Sequence, residues 1–569
     1  MVRKVTLLVI YIVTFPSLSF NQEWIRVYES LEHAQGRKCS EHYDKGFLVS
    51  GFVHIDEPVY TAYGWILKTD VNGYEHWRKT IKDSTGLVGF AGHRNTSDGG
   101  FITIGSTSLL DPTEDPLIMK FNACGEKEWC RIFNSPGNFD YGSDIETIPG
   151  GGYLGLVKYW GYDKSKRIWL FKLDESGDLI WQQAYALDSL FVSEEATSLY
   201  KANDTSFIIT GYTYWPDTIP PNYYFLTPLL IKVNIDGNSE WELPWGWQKE
   251  FIGTGWGSTC SLSGKVYTGA YHSLHSPPYG DAPCLLRTSS DGNPIDYINL
   301  KDTSFLGQAT TIDWLEDSTL IFGATWQDQA PGSQPVIGAN KTDTAGNVLN
   351  TKVLMDVSSE LIIDACVTDD NKAFMFTDYF NVNLWKWQVY AFKLTSNLEY
   401  DSIYTTPFTY DSLCPHPIVS DTIPLDDCEV VYVGIDDPVK HPEKTMLKVY
   451  PNPAGNMVTV EMPEYLVRTA DGGRQTAVDS PRSAVRSPQS EDGRSQTPGI
   501  GLKATTYYHQ WKSVRLDVFD LFGKLMYSQD IPGKTDNIQL DISSWSAGMY
   551  VARIVFMNDV VGVVKFVKE

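Results

Sequence analysis

The chain has 569 residues, of which 42% are hydrophobic and 13% aromatic, with 18 Trp and 32 Tyr. That length exceeds one ordinary domain and is ample for a large repeat domain plus a smaller one; the aromatic content suits β-structure better than a helical bundle. A formal net charge of −24, not concentrated in one block, repels nucleic acid and anionic membrane and excludes both as expected partners.

Met1-Val2-Arg3-Lys4 precedes an apolar run from Val5 to Phe15, and the small residues Ser17 and Ser19 follow. Residues 1–19 read as a cleaved signal peptide, because the run is too short to cross a bilayer as a stable helix. No Cys follows the cleavage site to carry a lipid, and no transmembrane segment is expected further on. Glu23 to Tyr28, "EWIRVY", reads as an outer strand without a sheet of its own. It could pair into the last repeat and close a ring, although "EYDSIY" near Tyr400 competes for the same place.

Residues 20–408 are repetitive. Short apolar strands begin at Phe47, Phe101, Tyr153, Phe207, Val266, Leu320 and Phe374, with spacings of 54, 52, 54, 59, 54 and 54. Seven copies at one period define a repeat architecture. Each period holds four short alternating strands with tight turns, so each is one antiparallel sheet, and seven such sheets close radially as the blades of a β-propeller. Within each copy a second motif recurs. Gly73, Gly125, Gly177, Gly237, Gly292 and Gly346 occupy the turn of a hairpin, with Leu398 in the seventh copy. Four residues later stand Trp77, Trp129, Trp181 and Trp241, then Asp296, Asn350 and Ser402. The Gly supplies positive φ, and the Trp is expected to pack on a neighbouring blade. A cation precedes each turn: Lys68, Lys120, Lys172, Lys232, Arg287, Lys341 and Lys393. Seven copies of one cation read as structural partners rather than seven active sites.

The loops between second and third strands are long and variable, and strand alternation puts all seven on one face. They carry Tyr159, Trp160, Tyr212, Trp215, Tyr379 and Trp385, which makes that face the candidate ligand-binding surface; packing of the loops onto the rim is the competing explanation. HExxH, GxSxG, Walker and EF-hand patterns are absent, so no catalytic residue, metal or cofactor is assigned. His272, His275 and Asp281 come nearest to a metal site but lack further ligands and read as a polar loop. Of the eight cysteines, Cys414 and Cys428 are the better expected disulfide. Cys124, beside a tight turn, looks badly placed to bridge to Cys130.

Residues 409–446 are Pro-rich and acidic and read as a linker. From Leu447 to the end, short alternating strands with Asn-Pro and Phe-Gly turns indicate a small β-sandwich. Residues 465–510, rich in Ser, Arg, Gly and Pro, read as a disordered insertion.

Three pieces of this tail resemble the type A C-terminal sorting domain of the type IX secretion system: Tyr450-Pro451-Asn452-Pro453, Asp520-Leu521-Phe522-Gly523-Lys524, and Ser546-Ala547-Gly548-Met549-Tyr550 with a basic strand after it. The resemblance implies the type IX machinery as a partner, passage through the outer membrane, removal of the tail, and a final place in the medium or on the cell surface. Residues 24–408 are similar to exported bacterial propellers that carry this tail. The Asx-Gly-Trp unit also looks like the docking repeat of pyrroloquinoline-quinone propellers, but the chain lacks their adjacent cysteines and eighth blade. The resulting expectation is a secreted or surface propeller that binds an extracellular glycan or protein. A glycan- or peptide-degrading hydrolase or lyase on the same scaffold, and a structural surface protein, are the alternatives.

Overall fold

The computed structural model describes residues 24–433, 448–461 and 514–569, apart from 29–32, 56–60, 83–86, 111–112, 135–138, 161–165, 186–192, 217–223, 246–250, 275–279, 302–306, 317, 329, 331, 358–360, 521–523, 532–536 and 557–558. The signal peptide, the insertion at 465–510, Gly523 and His275 lie outside the described residues. The chain divides into two compact units, 1–439 and 440–569.

The first unit is a seven-bladed β-propeller. Six blades are consecutive four-stranded antiparallel meanders, from Ala34–Glu41 in blade 1 to Val348–Asp356 in blade 6. Blade 7 takes three strands from Ile362–Val367, Ala373–Asn381 and Lys386–Leu394. Its fourth, outer strand is the N-terminal Ile25–Tyr28, paired antiparallel with Lys386–Leu394. This resolves the competition for the closing place: the backbone pairing of Tyr400 with blade 7 is an isolated bridge to Leu394, outside any strand. Each inner strand lies beside the next, and that of blade 7 beside that of blade 1.

The repeated motif is a joint between blades. In blades 1 to 4 the cation on the third strand faces the Trp on the fourth, one step before a register shift that ends the hairpin. The Trp then covers the turn Gly of the following blade. A Cβ on Gly177 would stand 2.8 Å from the Trp129 ring, and Gly237 has the same relation to Trp181. Gly at these turns is therefore demanded twice, by φ of +84° and +82° and by the aromatic lid. Trp24, ahead of the closing strand, sits on Gly73 of blade 1 in the same way. Where the Trp fades, Ile298 covers Gly346 and Asn350 donates to the Asn397 carbonyl at 2.7 Å. Leu398 takes the glycine-like φ of +64° and is buried in the core beneath blades 6 and 7.

Several of the repeated cations hold structural ion pairs. Lys68, wholly buried, meets Asp44 at 2.6 Å; Lys120 meets Asp98 at 2.7 Å; Lys232 meets Glu240 at 2.8 Å. Burial pulls the Lys68 ammonium below its ordinary value against the pull of Asp44.

The Pro-rich stretch after blade 7 is a strap bound to the propeller. Tyr404 and Asn72 exchange two hydrogen bonds. Asp421–Pro424 and Glu429–Tyr432 add parallel fifth strands to the outer edges of blades 1 and 2. Ile423 and Leu425 enter the core between those blades, and Val433 enters the next one. The disulfide expectation is corrected: Cys414 bonds Cys124 and Cys428 bonds Cys130, with Cα separations of 5.1 and 4.8 Å. Sequence neighbours do not pair because the strap runs alongside blade 2, so each of its cysteines meets the blade cysteine it passes.

The second unit is a β-sandwich. One sheet is Lys448–Tyr450, Met457–Glu461 and Asn537–Asp541; the other is Leu525–Ile531, Val514–Asp520, Gly548–Phe556 and Asp559–Lys568. Val458, Leu516, Val518, Ile554 and Phe566 are among the residues that fill the space between. The Tyr-Pro-Asn-Pro segment holds the last strand: Asn452 Oδ1 accepts from the Val567 amide at 3.0 Å, and the Ala454 amide, directly after Pro453, donates to the Val567 carbonyl at 2.7 Å. Tyr450-Pro451 and Asn452-Pro453 are both cis. Tyr550 is buried against Trp545 and Phe566 and donates to the Ser546 carbonyl at 2.7 Å. Lys568, also buried, donates to the Ile542 carbonyl at 2.6 Å.

Candidate functional site: the central channel and its long-loop mouth

The seven inner strands line a central cavity of about 970 Å³. Each breaks its pairing with the second strand once, at the same place in the blade. The extra residues are Arg37, Ala91, Ser143, Thr197, Trp256, Thr310 and Ile363, and all seven line the cavity. A bulge re-aims a side chain and increases local twist, so one geometric position presents seven different chemistries. The sequence does carry a signal: Gly36, Gly142, Ala196, Gly255 and Ala309 precede five of the bulges at the repeat's own spacing. A Cβ on Gly142 would stand 2.5 Å from the Gly105 carbonyl oxygen, so blade-to-blade approach accounts for the small residue there.

Carboxylates pin neighbouring blades along the wall. Asp144 accepts from the Leu199 amide, Asp313 from that of Val367 and Asp364 from that of Cys39, all at 3.0 Å. Cations sit among them. Arg94 meets Asp144 at 3.2 Å and Glu146 at 2.8 Å, and Lys38 meets Asp364 at 3.4 Å. Burial opposes the charge of Arg94, but Asp144 and Glu146 outweigh it and hold the guanidinium above its ordinary value. His93 donates to or accepts from Ser40 and Ser50 at 2.9 and 2.8 Å, and burial holds it neutral, well below its ordinary value. The charged groups along this part of the wall are paired with one another.

The mouth at the long-loop end differs. Trp160 ends the second strand of blade 3, Lys166 begins its third, and Glu195 stands at the start of the inner strand of blade 4; antiparallel alternation puts all three at one end. Glu195 meets Lys166 at 2.5 Å and Lys158 at 3.6 Å, and accepts from the Tyr214 hydroxyl at 3.1 Å. The Lys166 ammonium lies 5.6 Å from the centre of the Trp160 ring. Burial raises Glu195, but its bond to Lys166 and the charge of Lys158 bring it below its ordinary value. Burial lowers Lys158 and raises Tyr214. Asp140 accepts from the Trp160 amide at 3.0 Å, and burial pushes its carboxyl up to about 7. Asp378, bound to the Gly36 amide at 2.8 Å and to Arg37 at 3.1 Å, is likewise pushed up to about 7 by burial against the pull of Arg37.

Of the six expected ligand contacts, Trp160 and Tyr212 come together at this mouth: Trp160 lines the cavity, and Tyr212 hydrogen-bonds Glu195 and packs edge-on to Tyr214 at 5.8 Å. Tyr159 faces the opposite way, buried in the core between blades 2 and 3; strand alternation turned it from its neighbour Trp160. Tyr379 is half-buried against Tyr390. Trp385 is 76% exposed in the long loop of blade 7. The side chain of Trp215 lies outside the described residues. His272 stacks on Phe251 at 4.7 Å, and Asp281 is bonded to Ser273 instead.

Residues 500–569 match the family model of the secretion system C-terminal sorting domain. Among curated proteins, none matches the chain. Solved structures similar to it include the polysaccharide lyase PL25 ulvan lyase bound to -[GlcA(1-4)Rha3S]-, at 9% identity and a TM-score of 0.44 over 65% of this chain and 96% of that one. The β-propeller domain of the Trilobed protease from Pyrococcus furiosus has 10% identity and a TM-score of 0.37, over 67% and 98%. A protein of unknown function from Dyadobacter fermentans has 10% identity and a TM-score of 0.37, over 65% and 97%.

The molecule is thus a β-propeller protein that ends in a type IX secretion system sorting domain. The tail makes the secretion machinery a partner and the protein a secreted or cell-surface one. No helix among the described residues is long and apolar enough to cross a membrane.

Proposed function

We propose that the protein binds an extracellular glycan or protein at the long-loop mouth of its channel. The observation that carries this reading is the half-buried Trp160 ring at the cavity wall, flanked by Lys166 and backed by the Glu195–Tyr214 pair. An aromatic face beside fixed polar groups is how a concave site combines stacking with orientation. Trp385 stands in a loop at the same end by topology and offers a second, exposed anchor. Large aromatic anchors typically dominate such interfaces.

A degrading enzyme is the second reading. It is favoured by Asp140, a buried carboxyl pushed up to about 7 that accepts from the backbone amide of Trp160; a carboxyl held near neutrality is the kind of group that general acid–base catalysis uses. Glycan-array and peptide-pool screening of the full chain, with product analysis of every hit, separates the two. A hit that is retained intact and weakened at least tenfold by Trp160→Ala supports the binding site. Turnover that Asp140→Asn abolishes favours the enzyme. Hits indifferent to both Trp160→Ala and Trp385→Ala place the ligand elsewhere, and a lack of hits favours a structural surface protein.

A further inference from the structure

Two disulfides fasten the strap, and four cysteines remain as thiols: Cys39, Cys260, Cys284 and Cys366. Cys260 and Cys284 both belong to blade 5, on its inner and third strands. Cys39 and Cys366 are placed differently. Cys39 lies on the inner strand of blade 1 and Cys366 on the inner strand of blade 7. Those strands are adjacent across the seam where the ring closes. The Cys39 amide is bonded to Asp364, two residues before Cys366, and strand alternation sends Asp364 and Cys366 to the same side. Cys366 packs on the core cluster that contains Cys39, and both line the channel.

We propose that Cys39 and Cys366 are a third disulfide site, oxidised during export, which closes the propeller covalently between its first and last blades. The compartments through which an exported chain passes favour disulfides, and the strap cysteines are already paired. The oxidant is a disulfide of the thiol–disulfide oxidoreductase class. Cys366 is the half-exposed member and Cys39 the buried one, and burial keeps Cys39 protonated, so Cys366 reacts first. It gives up its proton, and its sulfur attacks the oxidant's disulfide, forming a mixed disulfide and expelling one thiolate. Cys39 then loses its proton to that thiolate, and its sulfur attacks the Cys366 sulfur. The Cys39–Cys366 bond forms as the mixed disulfide breaks, and the oxidant sulfur thus released takes up a proton in place of the one Cys366 gave up. Two protein thiols are oxidised, and one oxidant disulfide is reduced to two thiols.

The seam is where such a bond has most effect. Elsewhere in the ring each blade's four strands are one continuous run of chain, whereas the fourth strand of blade 7 is joined to its other three by hydrogen bonds alone. Blades 7 and 1 are joined by the N-terminal strand's pairing and by the strap, and a cross-link between residues so distant in sequence restricts the unfolded chain strongly.

The test uses the full chain recovered from medium or cell surface, denatured without reductant, alkylated and peptide-mapped. The expected result is a linked Cys39–Cys366 peptide, with alkylation confined to Cys260 and Cys284. Cys366→Ser should leave both strap disulfides intact, add Cys39 to the alkylated set, and lower Tm by several degrees. Full alkylation of Cys39 and Cys366 in the wild-type chain would overturn the proposal, as would either cysteine linked to another partner. If Cys366→Ser fails to accumulate, the wild-type peptide map alone decides.

Discussion

The outer and inner halves of the blades follow opposite rules. Outside, one joint is repeated: a cation, a turn and an aromatic lid that covers the next blade's turn. Inside, the repeated element is a backbone irregularity, and the side chain it presents changes from Arg37 to Trp256 to Ile363. Repetition marks what the ring needs in every blade. Variation at a fixed geometric position marks what each blade is free to contribute to the channel. The mouth, where Trp160, Lys166 and Glu195 meet, belongs to the second kind.

The largest effect is expected at the outer joint. Trp77 is 2% exposed and packs in the core between blades 1 and 2. Trp77→Ala should cost about 3–5 kcal/mol in chemical denaturation. A loss below about 1 kcal/mol would show that the lid is not part of the core. Trp181 and Trp241, half-buried in their joints, should cost less, and an equal loss at all three would mean that burial does not grade the repeats.

Next comes the strap. Removing both strap disulfides with Cys414→Ser and Cys428→Ser should destabilise the propeller by roughly 2–5 kcal/mol, read as a fall in Tm. It should also make the strap the first proteolytic cut. An unchanged Tm would mean that the fifth strands and Ile423 hold the strap without them.

A smaller effect is expected at Asp140. Its carboxyl ionises at about 7 in the fold but near its ordinary, lower value when unfolded, so between about pH 4 and 7 the folded chain binds the extra proton. Its contribution is therefore greatest at low pH and declines as pH rises through 7. Asp140→Asn removes this term while keeping an oxygen for the Trp160 amide. Relative to wild type, the variant should gain roughly 1–4 kcal/mol between pH 5 and pH 8. Parallel pH–stability curves for the two proteins would show that Asp140 does not carry the raised value.

The smallest effect is expected at Trp385. Trp385→Ala should leave stability within about 0.5 kcal/mol while weakening any ligand held at the long-loop face. A large drop in stability would return this aromatic to the structural class.

Local patterns were readable because their causes are local. A strand's alternation, a turn's need for Gly and the period of a blade each lie within a few dozen residues, so the seven blades, the packing of the repeated Trp on a neighbouring blade and the sandwich of the tail could be read from the chain alone. Alternation also placed the long loops on one face, but it could not say that Tyr159 points into the core while Trp160 meets the channel. That depends on the phase of the strand within its blade, and the bulge on the neighbouring inner strand changes how those strands pair.

The number of blades, the turn chemistry and the character of the tail were legible in the amino-acid sequence. Each is set by short-range sterics and hydrogen bonding, and each is repeated or ordered along the chain. The folded ring was needed to show that Ile25–Tyr28 closes blade 7, that Cys414 finds Cys124 rather than Cys428, and that Lys166, Glu195 and Trp160 share one mouth. These contacts join residues far apart in sequence. Chain proximity says nothing about them, because closing the ring is what brings them within reach.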